Sequence, residues 1–141
     1  MIAQSSHPAP HRHLVSFWTL LFGASSAPIF WLGQLMLGFF VTARACYGGD
    51  HPTAAAQAPL HAALVAFDGI AITAAVAGGI VAYASWRSLR GEKPGGHEAA
   101  LETGEGRARF LASWGILSSA IFLAAILFTT IATVGVPLCP A

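Results

Sequence analysis

The stretch "LVAFDGIAITAAVAGGIVAY", from Leu64 to Tyr83, decides the fold class of this chain. Its one charged side chain is Asp68. A helix needs about 20 apolar residues to cross the hydrocarbon core of a bilayer, at a rise of about 1.5 Å per residue. The stretch therefore predicts a transmembrane helix. It also raises the question of why a carboxyl group lies in a segment suited to lipid.

Two more apolar runs of spanning length flank this one. We predict transmembrane helices over about 14–42, 60–86 and 110–135, with a mixed-charge loop over 87–109. Only 9% of the 141 residues are charged and 55% are apolar, whereas soluble domains average about a quarter charged. The composition predicts an all-α integral membrane protein, a single three-helix transmembrane bundle in a lipid bilayer. The net charge of +1, with no basic run, indicates no nucleic-acid partner.

The distribution of Lys and Arg predicts the orientation of the bundle. Cytoplasmic loops are enriched in these residues. The loop 87–109 holds most of them: Arg87, Arg90, Lys93, Arg107 and Arg109. The N-terminus is therefore expected in the cytoplasm and the C-terminus in the periplasm, in the cytoplasmic (inner) membrane of a bacterium.

The two cysteines fall on the predicted outer side. Cys46 follows the first span and Cys139 follows the third at a similar distance. Thiols outside the bacterial cytoplasmic membrane tend to be oxidised. We therefore predict a Cys46–Cys139 disulfide that ties the outer ends of the first and third helices. The alternative is two unpaired small residues near the membrane interface.

Small residues recur along the second span at intervals of four. One row contains Ala71, Ala75 and Gly79, and a second contains Ala74 and Gly78. Such rows let the backbones of membrane helices approach closely. We expect the second helix to be the central packing element, in contact with both other helices or with a partner chain.

Polar residues of the three spans fall at similar depths. Gln34 and Asp68 each lie about eight residues, or about 12 Å, inside the outer ends of their helices. Thr129 and Thr130 lie slightly nearer the outer end of the third. These four residues are predicted to form one intramembrane polar layer.

Three interpretations of Asp68 follow from this layer. A charged carboxylate in hydrocarbon is unfavourable, and no Lys or Arg lies in the spans. Asp68 is then a neutral hydrogen-bonding group that fixes helix register, a contact to a polar group of a larger partner, or a proton relay or substrate site. For a relay, the nearest ionisable group is His61, two turns nearer the outside.

Candidate metal ligands are few. The N-terminal "HPAPHRH", residues 7–13, indicates a polar tail. On the outer side, Cys46, Asp50, His51 and His61 include ligand types that copper uses. A disulfide would remove the best ligand of that set, so we expect no resident metal or cofactor. The sequence has no phosphate-binding loop and no nucleophile elbow, and we expect no enzymatic activity.

Several motifs resemble those of a known group of membrane proteins. These are "SSAPIFWLGQL" (25–35), a Cys just beyond that helix, "FDG" (67–69), "RARFLASWGILSSAIFLAAILF" (107–128) and "PLC" (137–139). In this arrangement the chain, from about Leu14 to Cys139, is similar to small three-helix membrane proteins associated with bacterial haem–copper cytochrome c oxidases. The resemblance implies an accessory subunit or assembly partner without redox centres of its own.

Three classes of function therefore remain at this point. The leading expectation is a non-catalytic accessory subunit of a respiratory membrane complex, a terminal cytochrome c oxidase above all, bound to larger membrane subunits. The second is an assembly or metal-delivery factor for such an oxidase. The third is a small transporter that works as a homo-oligomer.

Overall fold

Three long α-helices make up the computed structural model, which describes residues 15–47, 54–89 and 107–139. We number them α1 (Phe17–Tyr47), α2 (Ala54–Ser88) and α3 (Arg107–Gly135). The N-terminal histidine tail, most of the loop 87–109, and Asp50 and His51 lie outside the described residues. The prediction of an all-helical chain with three apolar spans is confirmed.

Each helix is long and apolar enough to cross a membrane, over Phe17–Tyr47, Gln57–Ser88 and Ala108–Gly135. Bulky apolar side chains cover the outside of the bundle, among them Ile29, Phe39, Ile80 and Phe128. A surface of this kind is unfavourable in water and suits lipid. The chain is therefore a multi-pass membrane protein.

α1 and α2 extend beyond their predicted spans at the end of the bundle nearer the cysteines, whereas α1 begins at Phe17 rather than near 14. α1 continues past Thr42 to Tyr47 and includes Arg44, although its predicted end is near 42. α2 begins at Ala54 rather than near 60 and accommodates Pro59 close to its start. The reason is that hydrophobicity marks the lipid-buried part of a helix, whereas backbone hydrogen bonding carries the helix on into the interface.

The helices run up, down and up. The C-terminal ends of α1 and α3 meet at Cys46 and Cys139, so these two helices are parallel and α2 is antiparallel to both. Every pair of helices is in contact. At the opposite end of the bundle, Tyr83 stacks on Trp86 with ring centroids 6.1 Å apart, and Trp18 is exposed. Aromatic side chains are enriched at membrane interfaces in this way.

Close backbone approach defines the end of the bundle opposite the cysteines. A Cβ atom added to Gly115 of α3 would lie 3.0 Å from Ala82 Cβ and 3.2 Å from the carbonyl of Gly23. One turn further along, a Cβ on Gly78 would overlap the hydroxyl of Ser26. We call this region, centred on Gly23, Ser26, Gly78, Ala82 and Gly115, the small-residue half.

The small residues predicted to pack lie largely inside the bundle. Ala71, Ala75 and Gly78 are buried, while Ala74 and Gly79 are half-buried. This face of α2 therefore contacts both other helices. The same face continues to Ala82, which is 2% exposed.

Serines of α3 bond to the backbone of α1 beside its proline. Pro28 has no N–H to donate to the carbonyl four residues before it, that of Ala24. Ser118 Oγ donates to this carbonyl at 3.2 Å, and Ser119 Oγ donates to the carbonyl of Gly23 at 3.3 Å. α3 therefore supplies a donor that α1 itself lacks.

Serines of α1 itself do not satisfy the carbonyl freed by Pro28. Ser25 Oγ donates to the carbonyl of Leu21 instead, and the buried Ser26 Oγ has no hydrogen-bond partner. The Ala24 carbonyl, which Pro28 leaves without its N–H donor, accepts a hydrogen bond from α3 instead.

The middle of the bundle is an apolar core between these two ends. Ala27, Ala71, Ala75 and Ile126 are buried together there. Aromatic rings flank them, with Trp31 and Phe122 at 5.3 Å and Phe30 and Phe67 at 6.2 Å between ring centroids. This core separates the small-residue half from the polar groups near the cysteines.

Candidate functional site

Two polar side chains face each other across the core in the half of the bundle nearer the cysteines. Gln34 of α1 is 4% exposed and Asp68 of α2 is 2% exposed. Gln34 Nε2 donates a hydrogen bond to Asp68 Oδ1 at 2.7 Å. The distance lies at the short end of the usual range for N–H···O hydrogen bonds. The bond joins α1 and α2 at a depth that the sequence predicts for both residues.

α3 contributes oxygen atoms to the same centre. Thr130 Oγ1 lies 3.3 Å from Gln34 Nε2, and the carbonyl of Ile126 lies 3.5 Å from it. Thr130 in turn donates to the Ile126 carbonyl at 2.9 Å. The amide nitrogen of Gln34 therefore lies among three oxygen atoms, one from α2 and two from α3. We call Gln34, Asp68 and Thr130 the acid–amide centre.

Thr129 does not take part in these bonds. Its hydroxyl donates to the carbonyl of Ala125 in its own helix at 3.0 Å. Within the described part of the chain, no hydrogen bond joins it to Gln34 or Asp68. Consecutive helix residues point about 100° apart, so only one of two adjacent threonines faces a given neighbour. The predicted layer is therefore corrected to Gln34, Asp68 and Thr130.

Two atoms of the acid–amide centre have no partner. Gln34 Oε1 and Asp68 Oδ2 are buried and accept no hydrogen bond within the described residues. A buried polar atom left in this state costs roughly 1–3 kcal/mol. Both orphaned atoms are acceptors, and they belong to the same hydrogen-bonded pair of side chains.

A second polar contact lies between the acid–amide centre and the cysteines. His61 Nε2 of α2 lies 2.9 Å from the carbonyl of Thr133 in α3. His61 precedes Asp68 by two helical turns, or roughly 10 Å at helical rise. The contact engages His61 with the backbone of α3, so α2 is joined to α3 here as it is joined to α1 at Asp68.

The predicted disulfide is confirmed. Cys46 and Cys139 are joined with an S–S distance of 2.00 Å and a Cα–Cα distance of 5.5 Å. Because Cys46 is disulfide-bonded, its thiolate is not available as a copper ligand. Among the described residues, no group of three His, Cys, Asp or Glu side chains is placed to hold a metal ion. We call the region of the disulfide, His61 and the acid–amide centre the cystine half.

The contacts of Ser118 and Ser119 with α1 are the polar contacts that the sequence reading missed. A signal for them exists in the sequence, because Ser119 follows Gly115 by one turn and extends a row of small residues along α3. A hydroxyl on such a row lies close to the neighbouring backbone and can bond to it.

Comparison of the chain with protein-family models, curated proteins and solved structures finds no match. The function proposed below therefore depends on the residues and contacts described here, together with the sequence resemblance.

Proposed function

We propose that this chain is a non-catalytic accessory subunit of a respiratory membrane complex, a terminal cytochrome c oxidase in the cytoplasmic membrane of a bacterium. The observation that supports the proposal is that its buried polar groups form hydrogen bonds between helices. Gln34 joins α1 to α2 and α3, and Ser118 joins α3 to α1. Groups used in this way stabilise a fixed arrangement of helices, as a structural subunit requires.

The position of the disulfide supports the proposed orientation. Cys46 and Cys139 lie at one end of the bundle, whereas Arg87 and Arg109 lie near the other. Disulfides persist in oxidising compartments, and Lys and Arg are enriched on the cytoplasmic side. Both considerations favour the cystine half toward the periplasm and both the N-terminus and the loop 87–109 in the cytoplasm.

The outer surface is where larger subunits would bind. The tightest packing of α2 is directed inward, with Ala71 and Ala75 at most 1% exposed. The outward surface carries bulky side chains, such as Phe39, Phe40 and Phe128. An oxidase subunit would therefore pack against branched and aromatic side chains rather than against the small-residue rows.

Co-purification tests the proposal. The full chain with an affinity tag is expressed in its own bacterium, and membranes are solubilised in a mild detergent. We expect haem- and copper-containing subunits to elute with it in fixed proportion, visible in the optical spectrum and by metal analysis. Gly115→Leu is the matched control, since it keeps the outer surface but forces the helices apart, and we expect it to lose those subunits.

Two other results would contradict an accessory subunit. Copper bound stoichiometrically to the isolated chain, without stable oxidase subunits, would indicate a metal-delivery or assembly factor. Homo-oligomers whose thermal stability rises with a particular solute would indicate a transporter.

A further inference from the structure

The two orphaned acceptors of the acid–amide centre define a site for a donor. Gln34 Oε1 and Asp68 Oδ2 are both buried. Gln34 is 4% exposed and Asp68 is 2% exposed. Buried polar groups are nearly always hydrogen-bonded. One donor located between these two oxygens would satisfy the deficiency of both.

A metal cation fits this centre poorly. The natural position for a cation is among the oxygens of Asp68, Thr130 and Ile126, and Gln34 Nε2 already lies there, 2.7, 3.3 and 3.5 Å from them. A cation would have to displace the amide and break the bond between α1 and α2. Hard cations also require several oxygen ligands at once.

Within residues 15–47, 54–89 and 107–139, no ion pair to Asp68 is present. The faces of α1 and α3 that surround it present Gln34, Thr130 and apolar groups, and the charged residues of those helices lie toward their ends, at Arg44, Arg107 and Arg109. On α2 the nearest titratable group is His61, two turns away and engaged with the Thr133 carbonyl. A buried carboxylate without a counter-charge is strongly unfavourable in a membrane.

We propose that Asp68 is a proton-binding site, with the proton carried on Oδ2 and donated to Gln34 Oε1. The acid and the amide then exchange two hydrogen bonds, Nε2–H to Oδ1 and Oδ2–H to Oε1. The proposal is independent of the proposed function, since it concerns groups inside this one chain.

Release of the proton has a defined consequence for the bundle. It leaves a buried anion and removes the donor for Gln34 Oε1, so the contact between α1 and α2 weakens.

Infrared spectroscopy of the full chain in lipid nanodiscs tests the proposal. At neutral pH we expect the carbonyl stretch of a protonated carboxylic acid, shifted by ¹³C-labelling of the aspartates and absent from Asp68→Asn. Labelling restricts the band to Asp50 or Asp68, and an Asp50→Asn variant that keeps the band assigns it to Asp68 without a substitution inside the bundle. A spectrum with carboxylate bands alone, or an acid band that labelling leaves unmoved, would overturn the proposal.

Thermal unfolding gives a second, independent measurement. Asp68→Asn places an amide N–H where the proton is proposed, so we expect it to keep near-native stability. Asp68→Leu has neither donor nor acceptor and should melt at a lower temperature. If exchange of choline chloride for sodium chloride raises the melting temperature of the native chain but not of Asp68→Asn, the site binds a cation and the proposal is wrong.

Discussion

The small-residue half and the cystine half hold their helices together by different means. In the first, glycines allow backbones to touch, and serine hydroxyls of α3 reach main-chain carbonyls of α1. In the second, side chains span the gap between helices through an acid–amide bond, a histidine contact and a disulfide.

The difference follows from the properties of lipid as a solvent. Association of helices in a bilayer gains little from apolar burial, because lipid is as apolar as the helix surfaces, so close packing and polar bonds must replace it. Close packing requires residues without bulky side chains, so an added side-chain atom disrupts it. Polar bonding requires particular donor and acceptor atoms, so the removal of one disrupts it. The substitutions below add a methyl group in the small-residue half and remove bonding atoms in both halves.

Removal of the disulfide should have the largest effect on the cystine half. In Cys46→Ser/Cys139→Ser we expect the free energy of unfolding to fall by about 2–4 kcal/mol, since the bond closes a long loop in the unfolded chain. Unfolding in mixed micelles, followed by tryptophan fluorescence, measures it. The native chain under reducing conditions should match the double variant, and equal stability of all three samples would contradict the prediction.

An added methyl group in the small-residue half should have the next largest effect. Gly115→Ala places a Cβ 3.0 Å from Ala82 Cβ and 3.2 Å from the backbone of Gly23, which cannot rotate away. We expect a loss of about 1–3 kcal/mol in the same unfolding assay. Gly69→Ala is the control, because nothing lies within 4 Å of its added Cβ. Equal effects of the two substitutions would show that the close approach is unimportant.

Removal of the amide should weaken the cystine half. Gln34→Leu deletes the donor to Asp68 Oδ1 and Thr130 Oγ1 and leaves a buried acceptor unpaired. Since interhelical hydrogen bonds in membranes contribute about 0.6 kcal/mol on average and up to about 1.7 kcal/mol, we expect a loss of about 1 kcal/mol. Leu32→Met, on the exposed side of the same helix, serves as the control. A Gln34→Leu chain as stable as that control would argue against the acid–amide centre.

The smallest predicted effect belongs to the hydroxyl beside Pro28. Ser118→Ala should cost about 0.6 kcal/mol, the average for an interhelical hydrogen bond in a membrane, since it removes the donor to the Ala24 carbonyl. Ser113→Ala is a matched control on α3, because that exposed hydroxyl bonds to Arg109 within its own helix. Indistinguishable unfolding free energies for the two variants would remove the role assigned to Ser118.

The sequence predicts the helices and the depth of their polar groups. Apolar length identifies each span, and counting residues along a helix locates Gln34 and Asp68 at matching depths, where they bond. Counting from the ends also brings Cys46 opposite Cys139. These features depend on distance along a helix axis. That distance follows directly from the number of residues, because the rise per residue is fixed.

The rotation of each helix about its axis and the contacts between helices are harder to predict from the sequence than depth is. Depth alone groups Thr129 with Thr130, although only Thr130 faces Gln34. Likewise, the donor for the carbonyl freed by Pro28 is not a sequence neighbour but Ser118 of another helix. Both depend on which faces of three helices meet, and this is settled by packing across the whole bundle.

The most direct test of two separately held halves is a comparison of unfolding free energies in four chains. These are the native chain, Gly115→Ala, Cys46→Ser/Cys139→Ser and the combined triple variant. Gly115 lies about 30 Å along α3 from Gly135, which precedes Cys139 by four residues, and effects of distant sites add to within about 0.5 kcal/mol. We predict that Gly115→Ala costs the same with and without the disulfide. If it costs nothing once the disulfide is gone, the small-residue half does not hold its helices by itself.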